Sequence, residues 1–181
     1  VSYATISDLV DRYSGEEIAQ RGWPERALTY LGAVSASADL AATFPSAVAD
    51  DCALVTGAPA MWRYDGASWA ALSSSRVDQA LADADDEIDS YLMGRYTLPL
   101  AVVPGRLKTI ACDIARYRLF DDAVPEAIAS RYEQAVRFLR DVGTGRLNLG
   151  LDGSDQAATP AGGAQHDGPE RVFSMDTLED F

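Results

Sequence analysis

The most constraining feature of the chain is a run of three apolar stripes at helical spacing. Val77, Leu81, Ala84, Ile88 and Tyr91/Leu92 recur at steps of four and three. That period places them on one face of an amphipathic helix of about five turns. Ser73-Ser74-Ser75 marks its start and Met93-Gly94 its end, where glycine commonly terminates a helix. A second helix begins at Pro104-Gly105, since proline suits a first turn. Leu107, Ile110/Ala111, Ile114 and Arg118/Leu119 carry its inner face, and Asp121-Asp122 stops it. A third starts at Pro125, runs through Ile128, Tyr132, Ala135 and Leu139, and ends near Gly143. Pro99 and Pro104 bracket the extended crossing between the first two. Three such stripes in succession predict a bundle over residues 73–143.

The flanks read differently. Residues 1–21 predict one or two short helices, with Ser7 as a cap and Asp8 in the first turn. Gly15 interrupts the pattern and Glu16-Glu17-Ile18-Ala19 restarts it. Residues 22–72 lose helical periodicity and are rich in Ala, Ser, Gly, Pro and aromatics. A strand is expected near Ala53–Thr56, and a hairpin around Asp65-Gly66, which lies between aromatic residues. Residues 144–181 form a linker-like stretch followed by "RVFSMDTLEDF". The spaced apolar residues Val172, Phe173, Leu178 and Phe181 mark that last segment as one that docks onto a surface. The expected fold is therefore mainly α: a bundle of three long helices plus short N-terminal helices, an inserted small β-hairpin element and an extended C-terminal arm.

Composition limits the chemistry. The net charge of −13 opposes unassisted nucleic-acid binding, which depends on Lys and Arg. It suits a protein that meets a basic partner or lets DNA pass without sticking. Cys52 and Cys112 lie far apart with no CxxC, so neither a disulfide framework nor a zinc site is expected. No apolar run approaches the roughly 20 residues of a membrane span. The first residues have no basic and no apolar region, so no signal peptide is expected, and synthesis in a reducing cytoplasm is.

No catalytic constellation stands out. The single histidine, His166, lies in the Gly-rich linker, and no phosphate-binding glycine motif is present. Cys112 reads as a small buried hydrophobe. On the first of these long helices, Asp83, Asp85, Asp86, Glu87 and Asp89 fall opposite the apolar stripe. Asp85 and Asp89 are i,i+4 neighbours, but a helix face lacks the chelating loop of a calcium site. A solvated face, or one that meets basic residues, is the expectation. Arg106, Arg116, Arg118, Arg131, Arg137 and Arg140 gather on the next two helices, so ion pairs between neighbouring helices are expected within the chain. Trp62, Tyr64 and Trp69 could offer a peripheral contact surface. For at least two of them the expectation is the small core of the β element.

Several stretches together resemble a known family. These are "SYATISDLVDRY" and "EEIAQ", the run "ALADADDEIDSYLMGRYTLPL" continuing to "VP", "ACDIARYRLF", and the closing "RVFSMDTLEDF". They look like the Mu-like phage head–tail connector family, small proteins encoded between the capsid and tail genes of Mu-type phages and prophages. The likeness covers both ends and the region from Ser73 to about Gly150. It implies an adaptor, or head-completion protein, that forms a ring, usually of twelve copies, on the portal protein. Such a ring extends the DNA channel and offers a surface to a tail-side connector or tail terminator protein. The resemblance also implies a virion location at the head–tail joint, no catalysis and no cofactor or metal. It makes Arg171, Val172, Phe173, Leu178 and Phe181 an arm that reaches the portal or a neighbouring subunit. In a ring, Asp85, Asp86 and Asp89 would face the channel and repel phosphates. The departure is Gly22 to Leu72, longer than the family pattern. The rival readings are an acidic regulatory module that captures a basic protein and, further off, a metal-dependent enzyme.

Overall fold

The computed structural model describes residues 2–72, 76–120 and 123–151. Six α-helices and four strands occupy them: α1 Ile6–Arg12, α2 Gly15–Gly22, β1 Thr29–Val34, α3 Leu40–Thr43, β2 Asp51–Val55, β3 Ala60–Tyr64, β4 Trp69–Ala71, α4 Arg76–Leu92, α5 Gly105–Arg118 and α6 Glu126–Gly143. The three long helices lie where their stripes place them. Val77, Leu81, Ala84, Ile88 and Leu92 of α4 are buried, as are Leu107, Ile110, Ile114 and Ala115 of α5 and Ile128, Ala135, Leu139 and Val142 of α6. Each fully buried Leu or Ile removes enough apolar surface to stabilise the fold by about 1.5–3 kcal/mol.

The N-terminal helices pack on α4 and α5. The cap of α1 is Thr5 rather than Ser7. Its hydroxyl accepts from the Asp8 backbone N–H, and the Asp8 carboxylate accepts from the Thr5 N–H at 2.9 Å. This reciprocal capping box satisfies two backbone donors at once, which Ser7, one residue inside the helix, cannot do.

A helical bundle with only a small hairpin is not what the chain forms. Residues 29–71 hold a four-stranded sheet in the order β1-β2-β3-β4, so the fold is mixed α and β. The hairpin at Asp65-Gly66 is present as the β3–β4 turn. There the Asp65 carboxylate accepts from the Ala67 and Ser68 backbone N–H groups, both at 2.8 Å, and Gly66 takes a positive φ of 101°. β2 and β3 are also antiparallel, with Cys52 opposite Arg63 and Val55 opposite Ala60. β1 and β2, by contrast, run parallel. A parallel pair needs a crossover, supplied here by a 3₁₀ turn at Ser37–Asp39 and the one-turn α3. The register slips at Leu31, where Tyr30 faces Cys52 but Gly32 faces Ala53.

β2 is buried along its whole length. Its alternate residues face opposite ways, as the strand period dictates. Cys52 and Leu54 join the main core with Met61 and the helices. Ala53 and Val55 face a second, smaller core with Val34 and Leu40, edged by Phe44, Trp62 and Trp69. The helix α2 bridges the two parts. A Cβ at Gly15 would lie 2.2 Å from the Tyr30 ring of β1, and one at Gly22 would lie 2.5 Å from Val77 of α4. Only hydrogens at its two ends let this helix lie so close to both sheet and bundle.

Candidate functional site

The acidic residues of α4 are drawn into the chain's own contacts. The Tyr3 backbone N–H donates to Asp85 at 2.9 Å, and the Tyr3 hydroxyl donates to Asp89. The i,i+4 pair therefore grips the N-terminal segment. Burial pushes the Asp85 carboxyl above the usual carboxylate range, with the Asp89 charge adding to it and the Tyr3 N–H opposing it. The Tyr3 hydroxyl is raised well above its ordinary value, first by burial and then by its bond to Asp89. Between these two in sequence but on the other side of α4, Glu87 accepts from Arg118 of α5 at 2.7 Å and from the Tyr132 hydroxyl of α6 at 2.9 Å. Tyr132 stacks on Tyr117 with ring centroids 4.1 Å apart. Burial and the Glu87 carboxylate push the Tyr132 hydroxyl up to about 12. Asp83 accepts from Gln79, and Asp86 is exposed. Among the described residues no cluster of His, Cys, Asp or Glu is arranged to hold a metal ion.

A second set of pairs fixes α1 and α2 to α5. Arg116 donates to both Glu17 oxygens at 2.7 Å and lies over the Tyr13 ring at 4.2 Å. The Tyr13 hydroxyl donates to Asp113, and Lys108 reaches Asp8 at 2.9 Å. Burial alone would raise the Asp8 carboxyl. The bonds from Lys108 and Thr5 outweigh it and hold that group below its ordinary value. Two carboxylate-bearing stretches that look alike in the sequence, on α2 and on α4, thus act as joints between elements.

Two of the concave places among the described residues involve the arginines and aromatics singled out in the sequence. An open cleft of about 590 Å³ lies between α2, the end of α5 and the start of α6, with Arg21, Arg116, Phe120, Ile128 and Arg131 in its wall. Sequence reasoning missed it, because its residues come from three elements with no common spacing. The second, about 380 Å³, lies on the sheet beside Phe44, Pro45, Tyr64 and Trp69. Trp62 and Trp69 pack against the smaller core, while Tyr64 is half-buried with its ring 5.5 Å from that of Trp69. Cys52 and Cys112 are buried free thiols, each pushed up to about 12 by burial. They pack as small hydrophobes and are not nucleophiles at neutral pH. No helix of the described residues is long and apolar enough to cross a membrane. Arg171, Val172, Phe173, Leu178 and Phe181, and also His166, lie outside the described residues.

The family model for "Bacteriophage Mu, Gp36" matches residues 3–167, nearly the whole chain. The chain belongs to the phage Mu gp36 family. It is 38% identical over 110 residues to "Mu-like prophage FluMu protein gp36" of Haemophilus influenzae, an alignment covering 61% of this chain and 78% of that protein. It is 42% identical over 86 residues to "Gene product J" of Escherichia phage Mu, covering 48% of this chain and 60% of that one. It is a Mu-like phage protein. The gp36 match includes the sheet region, residues 22–72, as well as the helices. It also takes in every joint described above, from Tyr3 to Tyr132.

Proposed function

We propose that this gp36-family chain is a head–tail connector. In this reading it assembles as a ring on the portal protein, continues the DNA channel and offers the surface that a tail-side connector or tail terminator protein joins. The observation that carries the reading is where the resembling motif falls. The stretch from Glu87 to Leu100, followed by "ACDIARYRLF", is α4, its crossing and α5. It includes buried Ile88, Leu92, Tyr96, Leu100, Ile114 and Leu119 of the main core. The likeness to connectors therefore lies in the part of the chain that sets the fold. The virion is the location that follows, after assembly in the host cytoplasm. The acidic contacts weigh against the rival regulatory module, because Asp8, Glu17, Asp85, Glu87 and Asp89 already hold partners within the chain.

The first test is electron microscopy of lysates from a phage carrying an early stop in this gene. Filled or emptied heads beside finished, unattached tails are expected. Intact tailed particles overturn the connector reading. Within it, removing Arg171 to Phe181 is expected to leave a folded chain that does not join its portal or neighbouring copy. The channel lining is tested at Asp86. Reversing Asp85 or Asp89 would release Tyr3, whereas Asp86 is exposed, so Asp86→Lys reports on charge alone. Slowed genome ejection is expected, and normal ejection kinetics remove α4 from the channel.

A further inference from the structure

One end of the bundle is unlike the rest of this acidic molecule. The chain runs up α4, down α5 and up α6, so the end of α4, the start of α5 and the end of α6 meet there. Arg95 ties them together, donating to the Val142 carbonyl at 3.0 Å and to the Leu147 carbonyl at 3.3 Å. Of the large apolar side chains exposed among the described residues, Met93, Val102 and Leu147 all belong to this end, and Met93 is 68% exposed. Basic groups accompany them. Arg106 lies over the Phe138 ring at 5.2 Å, Arg140 is exposed, and Arg146 is 80% exposed with only Asp141 at 3.6 Å. An apolar surface rimmed by arginines fits an apolar, acidic segment.

The sequence contains such a segment, and it is tethered at this same end. The described chain leaves the core at Leu149 and Leu151, both packed against it. About 19 residues of linker composition follow, from Asp152 to Glu170. Then comes "RVFSMDTLEDF", which alternates Val172, Phe173, Met175, Leu178 and Phe181 with Asp176, Glu179 and Asp180. For a Gly-rich sequence of that length the expected root-mean-square reach is about 24 Å. Three packed helices present an end about 20 Å across. The two lengths match, which puts the segment at an effective concentration of about a millimolar beside this surface.

We propose that the segment Arg171–Phe181 docks in the same chain, on the Met93, Val102 and Leu147 end of the bundle. It concerns the segment that the connector reading makes an arm, but it does not depend on that reading. The isolated chain holds its own apolar anchors, and a partner must displace them to recruit the arm.

The test uses the full chain with paired cysteines and a short bifunctional thiol cross-linker. Gly94→Cys places one thiol on the proposed surface, where an added Cβ meets nothing within 4 Å. Thr177→Cys places the other on the segment. The control pairs Thr177→Cys with Ser130→Cys, an exposed position in the first half of α6 at the other end of the bundle. Cys52 and Cys112 are buried and stay silent. Cross-linking within one chain should be about tenfold faster for the Gly94 pair than for the control. Changing the exposed Met93, Val102 and Leu147 to Ser should remove that advantage, and high salt should reduce it. Equal rates for the two pairs overturn the proposal. So does a product that is a dimer at micromolar protein, which would seat the segment on a second copy. Neither outcome touches the connector reading, which the phage lysate decides separately.

Discussion

Arg116→Met tests whether the α2–α5 joint holds the sheet and the bundle together. The substitution keeps an apolar stem over Tyr13 but removes both bonds to Glu17, each 2.7 Å long. The side chains are 18% and 26% exposed, between the surface and interior limits. An exposed pair contributes at most about 1 kcal/mol. Breaking a fully buried one costs about 3–5 kcal/mol, because the remaining charge is stranded. Here the stranded Glu17 opens onto the cleft beside Arg21 and Arg131, so water rehydrates it in part. The expected loss is about 2 kcal/mol, or about 4–8 °C in Tm for a chain of this size. Urea titration of wild type, Arg116→Met, Glu17→Gln and the double variant completes a thermodynamic cycle. A coupling of about 1–2 kcal/mol is expected, and it should shrink in 1 M salt. Single variants within about 0.5 kcal/mol of wild type, or a coupling near zero, would refute the view that this pair is a structural joint.

Three further outcomes follow from particular contacts. Gly22→Ala should destabilise the protein by about 1–3 kcal/mol, because its Cβ would overlap Val77, although Ala in place of a helical Gly ordinarily gains about 1 kcal/mol; a stabilised variant in thermal denaturation would contradict the close approach. The Tyr132 hydroxyl is raised to about 12 in the folded chain, so the folded state resists its ionisation and stability should fall as pH rises from about 10 towards 12; Tyr132→Phe should flatten that alkaline limb in a pH series of urea titrations. The Asp8 carboxyl is lowered, so its contribution is present above its ordinary value near 3.8 and is lost as pH falls through the lowered one; Asp8→Asn should weaken the acid dependence, and an unchanged acid limb would count against the Thr5–Asp8–Lys108 cluster.

What could be read from the sequence depended on the range of the signal. α4, α5 and α6 run for 14 to 18 residues, long enough for the 3.6-residue period to repeat several times. The β3–β4 hairpin carried its own local mark in Asp65-Gly66, and β2 was visible as a short apolar strand. β1 had neither advantage. "TYLGAV" is six residues long, and although its burial alternates, the apolar Leu31 and Ala33 sit at exposed positions and Gly32 at an inward one, so the residue types hide the period of a strand. Its pairing with β2 joins residues about 22 apart, as in Thr29 with Asp51, and a parallel pair leaves no turn motif between its members. A hairpin with a neighbouring strand was therefore visible where a four-stranded sheet exists.

The charges show the same division between kind and partner. Acids on α4 and arginines on α5 did point to pairs between helices, and Arg118 with Glu87 is such a pair. The sequence did not reveal that Glu17 of α2 would compete for the same arginines by taking Arg116, or that Asp113 of α5 would be engaged by Arg12 and Tyr13. Nor did it reveal that Tyr3 would occupy Asp85 and Asp89, since a residue more than 80 positions away carries no local signature. The consequence reaches function. An acidic run reads as a patch for an external partner only while its carboxylates are uncommitted. Once Asp85, Glu87 and Asp89 are assigned to Tyr3, Arg118 and Tyr132, Asp86 is the one of the three proposed channel residues left without a hydrogen bond or ion pair in the described chain. A channel built from this helix would then present Asp86 fully to the solvent, with Asp85 and Asp89, still charged though bonded to the neutral Tyr3, set further back, each acting over a screening length of about 8 Å. In that arrangement the field that passing DNA meets would grow with the number of copies in the ring as well as with the acids on α4.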